Sequence, residues 1–377
     1  MILCQFLSEF SFIHQKIDTK IVKMGIFFYT TLFGIFLTEC NAGFGGPFIT
    51  LMRPKNPKSR VEPIPPSSDY DGNPISIACV IDKDQKEFDV VEVTQEWPSS
   101  LLKRLDNGNG LSVLFHGAAY KTTKKSGLMF WFAREWMTTS GNNICIISYA
   151  YTSEPSESIS EVGFLNKMVS QKRIEYAAQM GCDLIKGVQD ICWNDDEGGR
   201  CLNIHEVDVI GLSFGSRVAA KTCEYITKKT NGEKLKMLLA LDPSKDPSFS
   251  AKSDFKRLAH YVQVIHTSSF PSQQIGDIDI HVKSKSGISL ESGLDFFMFV
   301  ATATKRLYAL AAESGDGTMI LKGQPFPEAK PKECVVGVYS NPNPNQYGKK
   351  FVISIAKRVE LFRESLGMYQ EETIFFE

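Results

Sequence analysis

The sequence predicts an α/β fold, with a central, mostly parallel sheet flanked by helices. Three observations predict it. Compact apolar runs recur along the chain, single helix-like segments separate them, and one run ends in a turn bounded by two glycines. Of 377 residues, 43% are hydrophobic and 23% charged, enough apolar material for a large core. The formal net charge of −1 excludes a strongly basic nucleic-acid binder and an acidic disordered chain. The 28 Gly and 17 Pro exclude collagen-like and low-complexity architecture, and no internal repeat is visible.

Residues 1–42 read as a leader. Gly25 to Leu37 is an uncharged apolar run of 13 residues, preceded by Lys16, Lys20 and Lys23 and followed by the small residues of Cys40-Asn41-Ala42. Thirteen helical residues rise about 20 Å, short of the roughly 30 Å hydrocarbon core, so a secretory signal peptide is expected rather than a spanning helix. Met24 is an alternative start. Nothing else is apolar enough over enough length to span a membrane, so a secreted protein without a transmembrane segment is expected. Residues 43–70 are Pro-rich and suit an extended arm, leaving 71–377 for one large α/β domain. Beyond the leader there are seven Cys. Secretion predicts disulfides, the odd count leaves at least one thiol over, and Cys192 with Cys201 form the most natural local pair. No spacing matches a zinc or cofactor signature, so neither is expected.

The elements follow in order. Leu111 to Phe115 is a buried strand pattern ending in His116-Gly117. Gly127 to Met137 reads as a helix with Phe130, Trp131, Phe132 and Trp136 on its apolar side, and Asn143 to Tyr149 as a second strand. Phe164 to Val188 has helical periodicity and an amphipathic pattern. Glu206 to Ile210 is a strand, then comes Gly211-Leu212-Ser213-Phe214-Gly215, then a helix over Ser216 to Lys228. Leu235 to Leu241 and Tyr261 to Ile265 continue the alternation. Two glycines around a serine, between a Val/Ile strand and a helix, form a nucleophile elbow: the chain reverses so tightly that side chains would collide, and the hydroxyl is pushed out above the sheet. That turn predicts an α/β-hydrolase fold.

Several further landmarks resemble, in order, those of the animal neutral lipases related to pancreatic lipase, whose insect members include secreted phospholipases A and yolk-protein relatives. They are Phe115-His116-Gly117, the Ser213 elbow, Leu241-Asp242-Pro243, Val264-Ile265-His266-Thr267, Ile278-Asp279-Ile280-His281, and Val336-Gly337 with the segment from Gly348, which resemble the strand pair closing the domain. The resemblance covers about residues 76–355. It implies a carboxylic-ester hydrolase acting on lipid, with Ser213 as nucleophile and Asp242 as acid. It makes His116 and His266 structural, and it places the oxyanion hole at the backbone N–H groups of Ala118 and Phe214. Asp242 lies 29 residues after Ser213, a strand–helix–strand distance that brings it to the neighbouring strand's carboxyl edge.

The pattern fails at the base. Where the family has Cys-Ser-His-x-Arg, this chain has Thr302-Ala303-Thr304-Lys305-Arg306, so the catalytic histidine is replaced by Thr304. A threonine hydroxyl cannot take a serine proton near neutral pH, and loss of the histidine from a triad hydrolase costs on the order of 10⁶ in turnover. His281, 39 residues after Asp242, is the one other candidate base. No Cys lies between Cys223 and Cys334, so the family's disulfide-bounded lid is absent, although residues 288–300 are apolar enough for a flap. Two functions compete: an active lipid esterase with a substitute base, and a lipase-fold protein that binds lipid, a lipid–water interface or an extracellular protein partner without useful catalysis. The size of the histidine penalty favours the second.

Overall fold

The computed structural model describes residues 74–355 apart from 94–95, 118–127, 150–165, 167, 171, 195–200, 244–253, 268–273, 285–306, 316, 322–327, 338–339 and 341–342. The leader, the arm, Ala118, Thr304 and the 288–300 segment therefore lie outside the described residues. All that is described belongs to one unit, Val61–Glu371.

Continuous apolar strands such as Leu111–Phe115 and Met237–Leu241 have no polar face to show water, so both their faces must be covered. Parallel strands with helical crossovers achieve that. The chain runs β1 (Ile75–Val80), β2 (Asp89–Val93), α1 (Ser99–Leu105), β3 (Leu111–Phe115), α2 (Leu128–Ser140) and β4 (Asn143–Ser148). It continues through α3 (Arg173–Asn194), β5 (Val207–Leu212), α4 (Gly215–Lys229), β6 (Met237–Leu241) and β7 (Tyr261–His266). It ends with β8 (Ile278–Ser284), β9 (Leu307–Ala312), β10 (Thr318–Leu321), β11 (Glu333–Val335) and β12 (Lys349–Ile355). Among the described residues these form one twelve-stranded sheet in the order β10-β9-β12-β8-β7-β6-β5-β3-β4-β1-β2, with β11 paired to β9. The seven strands from β4 to β12 in that order are mutually parallel. β1–β2 on one side and β9–β11 on the other are antiparallel additions.

Strand residues alternate between two cores. Val113, Phe115, Val209, Ala240 and Val264 face α3 and α4, meeting Ala177, Leu184, Val218 and Ile226. Leu114, Ile146, Ile210, Leu239 and Ile265 face the other way, toward Phe130, Trp131, Phe132 and Trp136 of α2. The aromatic stripe of α2 is therefore core.

Three expectations change in detail. The helix expected over Phe164 to Val188 is interrupted: residues 166 and 168–170 are helical, Lys172 adopts φ 56° and breaks the helical ladder, and α3 runs on from Arg173. The break serves a contact: Arg173, with no exposed surface, donates from Nε to the Tyr149 carbonyl at 2.7 Å, tying α3 to the end of β4. The two closing segments are not paired with each other; β11 pairs with β9, and β12 lies between β8 and β9. Finally, Cys79 and Cys145, directly opposite on β1 and β4, form a disulfide that the sequence did not point to. Cys201 is also disulfide-bonded, while Cys182, Cys223 and Cys334 are buried thiols. Among the described residues, no helix is long and apolar enough to cross a membrane.

Candidate active site

β5 ends at Leu212 and α4 starts at Gly215, so the chain reverses within two residues. Ser213 at the bend has φ 52°, the left-handed region that a serine enters only when its surroundings impose it. Those surroundings are identifiable. The Ser213 N–H donates to the Leu241 carbonyl on β6 at 2.8 Å, and the Ser216 N–H donates to the Ser213 carbonyl at 3.0 Å. The Ser216 hydroxyl donates to the Gly211 carbonyl at 2.9 Å. A side chain at Gly211 would run into the Ser216 backbone, and one at Gly215 into the Phe115 and His116 carbonyls at the end of β3. Both glycines are thus required by close approach. Ser213 stands exposed above the sheet while Phe214, Gly215 and Ser216 are buried beneath it.

Asp242 follows β6 as Ser213 follows β5, one position past the registered pair Leu212 and Leu241. It too has positive φ, 39°, and its N–H donates to the Ile265 carbonyl at 2.7 Å. Its carboxylate accepts the Thr267 hydroxyl at 3.2 Å and the Thr267 N–H at 3.4 Å. Ser213 and Asp242, the expected nucleophile and acid, are thereby neighbours at the carboxyl edge, beside β3, where the strand order reverses direction along the sheet. Phe214, the N-cap of α4, places its backbone N–H at the positive end of that helix. Its expected oxyanion partner Ala118, and Thr304, lie outside the described residues.

The histidines are engaged elsewhere. His116 is buried, with Nε2 3.0 Å from the Ser148 hydroxyl and Nδ1 2.8 Å from the Gly117 carbonyl. Its ring stacks on Tyr149, and burial pushes its pKa down to about 4. His266 ends β7 and bonds Asp279 on β8 at 3.0 Å. His281 is its registered partner on β8, stacked on it at 4.9 Å between ring centroids. Burial, and then the neighbouring His266, lower the His281 pKa to about 4. His205 and His260 lie at the opposite, amino edge, ahead of β5 and β7. Three strand spacings separate Ser213's strand from that of His281, roughly 14 Å of backbone separation.

Asp279 escaped the sequence reading. Its fully buried carboxylate accepts the Gly276 N–H at 2.8 Å, the Ile275 N–H at 3.1 Å and the His266 ring. The available signal was a charged residue alternating with isoleucines in a strand, since such a group must find partners inside. Among the described residues, no group of three or more His, Cys, Asp or Glu side chains could hold a metal ion.

The strand order with its strained serine elbow defines the class: an α/β-hydrolase. No known family profile and no curated protein matches the chain. Solved structures resemble it only distantly. An ester hydrolase from the Lake Arreo metagenome is 14% identical, covering 38% of each chain with a TM-score of 0.24. A Pyrobaculum calidifontis esterase is 11% identical over 55% of this chain and 89% of its own, TM-score 0.27. A hormone-sensitive-lipase homologue from a metagenome library is 10% identical over 63% and 76%, TM-score 0.27. The chain spans less than two thirds of the first structures it resembles, 38% and 62% of two of them.

Proposed function

We propose that this chain is a secreted lipase-type α/β-hydrolase of the animal neutral lipase kind that has lost useful catalysis and acts by holding lipid, or an extracellular protein partner, at the retained site. One observation supports the reading: Ser213 and Asp242 lie side by side at the carboxyl edge, while the described histidines are engaged elsewhere. Ser213 is strained and exposed, which is costly unless the site is used or inherited. The base position in the sequence is Thr304, and no His follows His281. The Cys79–Cys145 disulfide suits an oxidising compartment, in keeping with the leader.

The second reading keeps an active phospholipase or lipase with His281 as base. His281 lies at the same carboxyl edge as Asp242, which favours that reading. Against it stand its burial, its lowered pKa and a strand separation wider than an imidazole and a hydroxymethyl group can bridge. The experiment is hydrolysis of a short-chain ester by purified mature protein beside a Ser213→Ala variant. Equal, background rates are expected. A Ser213-dependent rate of ordinary esterase size that also disappears in His281→Ala would establish the second reading.

A further inference from the structure

We propose that the amino edge of the sheet, opposite the elbow, carries a binding site for a divalent transition-metal ion made by His205, His260 and the carbonyl oxygen of Lys234. Nε2 of His260 lies 3.0 Å from Nδ1 of His205, and that Nδ1 lies 3.1 Å from the Lys234 carbonyl. A carbonyl oxygen carries no hydrogen, so Nδ1 of His205 holds the proton and presents it to the oxygen and to the lone pair of His260 Nε2. Three lone-pair-bearing atoms thus surround one proton. A metal ion that takes its place binds both imidazole nitrogens and the oxygen, the proton passing through water to Nε2 of His205 so that the ring stays neutral, with water completing the shell.

The geometry is held by backbone rather than chance. His205 belongs to the single turn Ile204–Glu206, whose cap Asn203 accepts the His205 N–H at 2.9 Å. The His260 N–H donates to the Leu235 carbonyl at 2.9 Å, and its own carbonyl accepts the Tyr347 hydroxyl at 3.2 Å. Both imidazoles are exposed, so an ion has access. With metal–nitrogen bonds of about 2.0–2.1 Å, tetrahedral ligands stand about 3.3 Å apart. The rings therefore need to part by a few tenths of an ångström. Imidazole nitrogens select zinc, copper and nickel over magnesium or calcium. The Lys234 ammonium, bonded to the Arg257 carbonyl at 2.6 Å, opposes a cation nearby and keeps the affinity modest.

His205 and His260 are 55 residues apart, so no spacing signature could reveal the pair. The three ligands come from the leads into β5, β6 and β7, and a bound ion would tie the starts of three adjacent strands. β5 alone puts roughly 20 Å between this edge and Ser213, so the site is separate from the hydrolase machinery. The test is calorimetric titration of the chelator-treated full mature protein with Zn²⁺, followed by thermal unfolding with and without it. One ion per chain and a zinc-dependent rise in Tm are expected. Affinity should fall at least about tenfold in His205→Ala and in His260→Gln, each unfolding like wild type without zinc. Absence of saturable binding, or binding unchanged in both variants, would overturn the proposal.

Discussion

At the scale of single residues, the elbow accounts for more of the molecule's character than any other feature. Gly215 lies against the Phe115 and His116 carbonyls, so Gly215→Ala must push β3 away from α4. Overpacking of this kind costs about 1–3 kcal/mol, and more where backbone blocks the way. The midpoint of urea unfolding should fall accordingly, whereas Ser213→Ala should leave it nearly unchanged or raised, since the strained serine is exposed. This residue-level logic was legible in the sequence, because glycine spacing and a Val/Ile strand report backbone demands directly. Asp242 came from the resemblance of Leu241-Asp242-Pro243 to the family's motif, and the strand–helix–strand length from Ser213 agreed with it. The His266–Asp279 pair was not legible, because contacts between strands depend on register, which no local pattern records.

At the scale of elements, the sheet is a parallel core with antiparallel additions on both sides, and the first addition is covalently held. The Cys79–Cys145 bridge fastens the β1–β2 hairpin to β4 across a loop of 66 residues. Closing such a loop is worth up to about 4 kcal/mol through the unfolded chain. A Cys79→Ala/Cys145→Ala double variant should therefore lose about 2–4 kcal/mol in denaturant unfolding. A loss under about 0.5 kcal/mol would mean that sheet pairing alone holds the hairpin. The sequence pointed to Cys192 with Cys201, the nearest pair along the chain, and Cys201 is disulfide-bonded; it gave no sign of Cys79–Cys145, which only strand register brings together. The break before α3 was not legible either. Helical periodicity runs through Lys172, whereas the break there accompanies the buried Arg173–Tyr149 contact, a partner distant in sequence.

At the scale of the whole molecule, buried titratable groups set the pH range of stability, and they pull in opposite directions. Asp208 is buried in β5 and its pKa is pushed up to about 6, against a smaller downward pull from Lys236. Its folded pKa exceeds its unfolded one, so its contribution is present below about pH 4 and lost as pH rises through 6. His116 and His281 have folded pKa values near 4, below the ordinary 6.5, so theirs is present above 6.5 and lost as pH falls through 4. Asp277 is raised by burial as Asp208 is, and His260 is lowered as the other two imidazoles are; three imidazoles outweigh two carboxyls, and stability should rise between pH 4 and 6.5. Asp208→Asn should add on the order of 3 kcal/mol above pH 6, the equivalent of a shift of about two units. It should also steepen the loss on acidification; a variant curve parallel to wild type would show that Asp208 does not titrate in this window.

The central claim is that a hydrolase site has been kept and its base lost at Thr304. The direct measurement is the esterase rate of Thr304→His beside wild type and Thr304→His/Ser213→Ala. A new imidazole at that position would have Asp242 to orient it and the Ser213 hydroxyl to deprotonate. A Ser213-dependent gain of about 10²-fold, some 2.7 kcal/mol of barrier, is expected over a silent parent. A wild-type enzyme already turning esters over at ordinary rates through Ser213, with Thr304→His bringing no gain, would contradict the account.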